Sequence, residues 1–239
     1  MQTTLDAELI GSLTEGLRAA LTRDAERFPG DSHRRQPVHT VYGGAQLFSA
    51  ETPAKLGRLA AAAFDEYAGD PSVLASVLGI PGELSGVVHE RVREKLAREP
   101  VEDLRIDFED GYGIRPDDEE DAHAVSTADE MAKALASGAL PPFVGIRVKA
   151  MSAEAHGRSI RTLDLFLTRL TEAAGRLPDN FLITLPKVVL AEQVSAFADV
   201  VVNASVAPSA SIGTTKRRYR QDTLRSLSRA IGSRGRLSP

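Results

Sequence analysis

Asp103-Leu-Arg-Ile-Asp-Phe-Glu-Asp-Gly111 is the stretch on which the fold of this chain turns. Successive side chains of a strand point to opposite faces, so Leu104, Ile106 and Phe108 share one face while Arg105, Asp107 and Glu109 share the other. Two placements suit such a strand. It is either an edge strand with a solvated face, or an inner strand whose charges are paired or used, because unpaired buried charge is costly.

Working outward, Phe143-Val-Gly-Ile-Arg-Val-Lys149 repeats the pattern, with Val144, Ile146 and Val148 opposite Phe143, Gly145, Arg147 and Lys149. A further strand is predicted over 181–188, where Pro186 removes a ladder donor and leaves Lys187 at the strand's mouth. Upstream, 37–42 reads as a strand running into Gly43-Gly44. Helices are predicted over 5–28, where Leu9, Leu13, Leu17 and Leu21 recur every four residues before Pro29-Gly30-Asp31, and from Thr52 with Pro53 in its first turn to Tyr67. Turn signals at Gly79-Ile-Pro-Gly82 precede a helix over 84–98. Another spans 117–135, where Asp117, Asp118, Glu119 and Glu120 suit the positive end of a helix dipole. Leu163, Phe166, Leu167 and Leu170 mark an amphipathic helix, and 191–201 a last one.

Strand then helix, four times over, is the pattern of parallel α/β architecture, either an open doubly wound sheet or a (β/α)8 barrel. The 51 residues from Val189 onward are too few for four further units of roughly 30 residues each. The expectation is therefore a parallel (β/α) barrel of TIM type, incomplete at about four units. It divides into an N-terminal helical segment (1–34), the partial barrel (35–204) and a basic tail (205–239) that is disordered or foreign to the domain.

Composition sets the outer bounds. Hydrophobic residues make up 42% of 239, enough for a sizeable core, and the net charge of −4 is too small to point to nucleic acid or membrane as the main partner. Residues 216–239 carry eight Lys or Arg against one Asp, and Lys216-Arg-Arg-Tyr-Arg220 is their candidate nucleic-acid arm. No apolar run reaches the roughly 18 residues of a membrane span, and the first residues lack the pattern of a signal peptide. With no cysteine in the chain, thiolate sites are excluded and a cytoplasmic location is expected.

If the apolar faces pack on helices, Arg105, Asp107, Glu109, Arg147 and Lys149 point the other way, near the carboxyl ends of their strands. That is the end at which parallel α/β folds build active sites. With Lys187 added, the strand ends make a cationic pocket with an acidic neighbour, suited to a small carboxylate or phosphate. A structural ion-pair network between strands is the alternative.

Phe108-Glu-Asp-Gly111, Gly145-Ile-Arg-Val148 and Leu185-Pro-Lys-Val188, in that order over roughly 35–200, resemble motifs of the HpcH/HpaI aldolase and citrate lyase beta-subunit superfamily. His39-Thr-Val-Tyr42 and 104–113 look closest to an actinobacterial-type branch of it. The resemblance implies a barrel that uses a divalent metal, commonly Mg2+, to hold a pyruvate-like or acyl-CoA-derived enolate during carbon–carbon cleavage or condensation. It also implies that Arg147 contacts the substrate carboxylate or carbonyl, that Glu109 and Asp110 are the acidic pair near the metal, and that Lys187 lies at the mouth. The family's principal metal ligands lie on later strands and find no counterpart after Val188. Glu51-Thr-Pro53 resembles a ligand motif only superficially and reads as a helix start.

The expected function is a metal-dependent aldolase or lyase acting on a small carboxylate, with CoA as an optional part of the substrate and little activity for this chain alone. The other reading is a non-catalytic half-barrel that forms homo-oligomers through exposed strand edges.

Overall fold

A computed structural model describes residues 4, 6–28, 30 and 34–204. Residues 36–204 form one compact unit, and the N-terminal helix belongs to another. That helix, α1 (Ala7–Arg27), starts where the Asp6 carboxylate accepts from the Leu9 N–H at 2.8 Å. Leu9, Leu13, Leu17 and Leu21 are all exposed on it. The basic segment and its candidate nucleic-acid arm lie outside the described residues.

In the main unit the chain runs β1 (Val41–Gly44), α2 (Thr52–Ala68), α3 (Pro71–Leu78), α4 (Ser85–Arg98), β2 (Asp103–Asp107), α5 (Asp117–Ser137), β3 (Phe143–Arg147), α6 (His156–Ala174), β4 (Phe181–Thr184) and α7 (Ala191–Ala204). The four strands form one parallel sheet in the sequential order β1-β2-β3-β4. Among the described residues β1 and β4 are its two open edges, and no barrel closes.

One face of the sheet makes the core. Ile106, Phe108, Val144, Ile146, Val148 and Phe181 cluster with Ala124, Ala128 and Met131 of α5, Leu163, Phe166 and Leu170 of α6, and Phe197 and Val201 of α7. Each large apolar side chain so buried contributes roughly 1.5–3 kcal/mol. Phe166 ties the layers together, edge-on to Phe108 at 6.3 Å and stacked on Phe181 at 6.1 Å. The helices that follow β2, β3 and β4 thus pack into the core on the same sheet face, and the charged side chains keep the opposite one.

Several expected boundaries move. Residues 37–40 lie outside the first strand, because side chains rather than ladder bonds hold them beside β2. The Val38 N–H donates to the Glu102 carboxylate at 2.7 Å, and the Thr40 hydroxyl to Asp103 at 2.9 Å. β3 and β4 each end earlier than predicted, at Arg147 and Thr184. The 71–78 helix was not expected, yet Asp70 caps it through the Ser72 N–H, Pro71 opens it, and Gly79 ends it at φ 65°.

Candidate functional site at the carboxyl end of the sheet

The sequence-derived candidates Glu109, Asp110, Arg147 and Lys187 all lie at the carboxyl ends of β2, β3 and β4, and the structure brings them together. Arg147 is the hub. Its Nε and Nη2 donate to the two oxygens of Asp107 at 2.8 and 2.5 Å, a bidentate pair in which Asp107 is almost wholly buried. The register explains the match, since Asp107 and Arg147 are paired residues on neighbouring strands. Asp107 also accepts the backbone N–H of Glu109 at 2.9 Å and of Gly111 at 2.7 Å, so one carboxylate both holds the arginine and shapes the loop after β2. A Cβ on Gly111 would lie 2.7 Å from that carboxylate, which is why the turn carries no side chain there.

Arg147 is clamped from below as well. Its guanidinium lies over the Tyr42 ring of β1, 4.6 Å from the centroid. With Nε and Nη2 bound to Asp107, Nη1 faces the mouth, 3.6 Å from Asp110 and 3.8 Å from Glu109, beyond normal hydrogen-bonding distance of either. The Lys187 ammonium contacts the Glu109 carboxylate and bonds Asp110 at 2.8 Å. Glu109 is nine-tenths buried and its Oε2 has no hydrogen-bond partner. A second orphaned acceptor, Gln46 Oε1, lies in the turn after β1, where Gln46 Nε2 donates to the Gly111 carbonyl at 3.2 Å.

Deeper on the same face, Arg105 donates to Asp103 at 2.7 and 2.8 Å and reaches over β3 to the Thr184 hydroxyl at 2.6 Å. The residue it passes is Gly145, its register partner. Arg105 and Asp103 thus form a closed pair that belongs to the sheet.

Electrostatics follow from these contacts. Burial pushes the Asp107 carboxyl up, but the Arg147 guanidinium and the two backbone N–H groups outweigh it and hold the group below its ordinary range. The hydrogen bond to Asp107 raises Arg147 further above its usual value, despite burial. Lys187 holds Asp110 below its usual range, and bonds to Asp110 and then Glu109 raise Lys187 in turn. At the mouth, Asp107, Glu109 and Asp110 face Arg147 and Lys187, a balance of −1. The pocket is therefore not the cationic one expected from the strand ends, because the acids of β2 already engage both cations.

Lys149 departs from expectation. It lies past the end of β3 and turns to the helix side, where its ammonium meets Glu120 of α5 at 2.8 Å and the Phe108 carbonyl at 2.8 Å. The acid run opening α5 is thus not uniformly solvated: Asp117 is exposed, whereas Glu120 is buried against Lys149 and the Thr162 hydroxyl, with Arg158 at 3.6 Å. Asp121 pairs with Arg158 and Arg161 of α6. Beside this network, the Tyr112 hydroxyl meets His123 Nδ1 at 2.7 Å, and burial, aided by Glu120, pushes Tyr112 up to about 12.

A divalent metal fits this donor set poorly. Both Asp107 oxygens are used by Arg147 and backbone N–H groups, and one oxygen each of Glu109 and Asp110 faces Lys187. Among the described residues no three His, Asp or Glu side chains are grouped so as to hold a metal.

Fold and site together define a parallel α/β protein with an arginine-centred polar site at the carboxyl end of its sheet. The chain belongs to the DUF6986 family, a domain of unknown function, whose family model matches residues 17–224. Neither the curated proteins nor the solved structures include a match to the chain. No helix among the described residues is long and apolar enough to cross a membrane.

Proposed function

We propose that the four strands are consecutive units of a TIM-type (β/α) barrel, and that their carboxyl end binds a small pyruvate-like carboxylate for carbon–carbon lyase or aldolase chemistry. Sequential strand order, core helices on one face and charge on the other support the barrel reading. The observation that carries the function is the presentation of Arg147: two nitrogens fixed on Asp107, the ring of Tyr42 beneath, and Nη1 turned to the mouth.

Removing a proton or a carbon beside a carbonyl leaves negative charge on its oxygen, and a guanidinium already locked in place stabilises that charge without reorganising. In this reading Arg147 bonds the substrate carboxylate or carbonyl oxygen. Glu109, buried with one oxygen that accepts no hydrogen bond, takes or returns the proton on the adjacent carbon. Asp110 and Lys187, both more than half exposed, sit at the entrance. Because the donor set does not suit a metal, no step is assigned to one.

The test is exchange of the methyl protons of pyruvate in D2O, followed by NMR. The wild-type chain is expected to catalyse exchange, and Arg147→Ala to slow it at least about tenfold, the loss of a charge-assisted hydrogen bond. Equal rates for the two chains would remove Arg147 from the mechanism.

A second reading, association through the open edges of β1 and β4, draws on one observation: Leu47 after β1, and Val189 and Leu190 after β4, are largely exposed. Sedimentation velocity separates the two readings, since a monomer that exchanges pyruvate protons excludes the second.

A further inference from the structure

Every turn of α1 leaves its apolar side chains in solvent: Leu9, Ile10, Leu13, Leu17 and Leu21 are between 43% and 69% exposed, and no residue of the helix is buried. Gly11 and Gly16 lie inside it, and each costs about 1 kcal/mol against alanine in a helix interior. Helical stability in proteins comes mostly from packing of the apolar face, and α1 has no such packing. Its leucine row therefore calls for an occupant.

The row itself points to a second copy. Leu9, Leu13, Leu17 and Leu21 recur every four residues, the ridge that interlocks with an identical ridge when two helices cross at about −50°. It is symmetric about its middle, so an antiparallel copy brings Leu13 against Leu17 and Leu9 against Leu21. Gly16 lies beside that midpoint with nothing within 4 Å of the place its Cβ would take, which leaves room for a second backbone to approach. Charge sets the direction. Asp6 stands at the start of the row and Arg23, Asp24 and Arg27, net +1, at its end, so antiparallel packing joins unlike ends and parallel packing like ones. From its exposures the row offers about 500 Å2 on each copy, and two copies together roughly the 1,000 Å2 that a specific interface needs.

We propose that the leucine row of α1 is an interface between two copies of this chain, with the two helices packed antiparallel. Burial of five large apolar side chains from each copy drives the association. The inference goes beyond the lyase reading and uses no residue of the carboxylate site. It differs from association through β1 and β4 as well, because α1 and not the sheet makes the contact.

The experiment is sedimentation velocity on the full chain, wild type and Leu13→Ala/Leu17→Ala, over a range of concentrations. Alanine is the best helix former, so the double substitution removes apolar surface without weakening the helix itself, with circular dichroism as the check. Wild type is expected to be dimeric at about 50 μM, and the double variant to dimerise at least about tenfold more weakly. Direction is read separately. The chain has no cysteine, so Leu13→Cys and Leu17→Cys each introduce a single thiol, and a mixture of the two is expected to cross-link at least about tenfold faster than either alone. A wild-type monomer, its row covered by another part of the chain or by a different protein, would overturn the proposal. So would a dimer that the alanines leave equally tight, the outcome of pairing through the sheet edges, or self cross-linking as fast as that of the mixture.

Discussion

Asp107 carries more of the site than any other side chain, because it holds Arg147 by two bonds and the following loop by two more. Asp107→Asn removes a buried charge and strands its partner, so a loss of about 3 kcal/mol is expected in urea denaturation at pH 7. The sign with pH follows from the depressed carboxyl. Its contribution is present above the unfolded value of about 3.9 and disappears as pH falls through the lower folded one. The gap between wild type and Asp107→Asn should accordingly narrow below pH 4, and a constant gap down to pH 2 would show that the carboxylate charge is not what stabilises. Tyr112 gives the opposite limb: raised to about 12, its neutral form stabilises the fold fully below pH 10, and that contribution is lost as pH climbs toward 12. Tyr112→Phe should lose less stability than wild type across that window, by roughly 2–3 kcal/mol. Alternation alone made Asp107, Glu109 and Arg147 legible as residues of one face. It could not disclose Tyr42 under the guanidinium or Gln46 beside Gly111, since those contacts cross from β1 to β2 and β3 and have no local signature. Nor could it show that Lys187 already has partners, which depends on a left-handed turn after Pro186.

Among the elements, β3 and its glycine set the spacing of the polar face. A Cβ on Gly145 would lie 1.8 Å from the Leu182 carbonyl oxygen of β4. Gly145→Ala is therefore expected to cost more than about 3 kcal/mol or to prevent folding, read by thermal unfolding. A change under 1 kcal/mol would mean that β3 and β4 are not held as described. The helices were legible to different degrees for physical reasons. α5 and α6 announce themselves, one by its acidic first turn, the other by an apolar stripe that fills the core. α3 has eight residues, too short for periodicity, although Asp70-Pro71 and Gly79 frame it with sound capping chemistry. Lys149 eluded alternation because β3 stops two residues before it, and the chain then turns the ammonium toward buried Glu120.

For the molecule as a whole, the sequential parallel sheet is what aligns the strand ends of β2, β3 and β4 into one site; the strand-then-helix pattern was enough to foresee a parallel sheet, though not its strand order. Net charge at the site was harder to foresee, because counting strand-end cations overlooks the acids that engage them. Under the proposed function, the mouth-facing Nη1 of Arg147, which makes ion-pair approaches to Glu109 and Asp110 but no hydrogen bond, binds a small carboxylate at this end of the sheet. Saturation-transfer NMR with pyruvate, on wild type and Arg147→Ala at equal concentration, tests it most directly. Transfer to the methyl signal in wild type, with a loss of at least about tenfold in Arg147→Ala, is the predicted result; equal transfer to both proteins, or none to wild type, would contradict it.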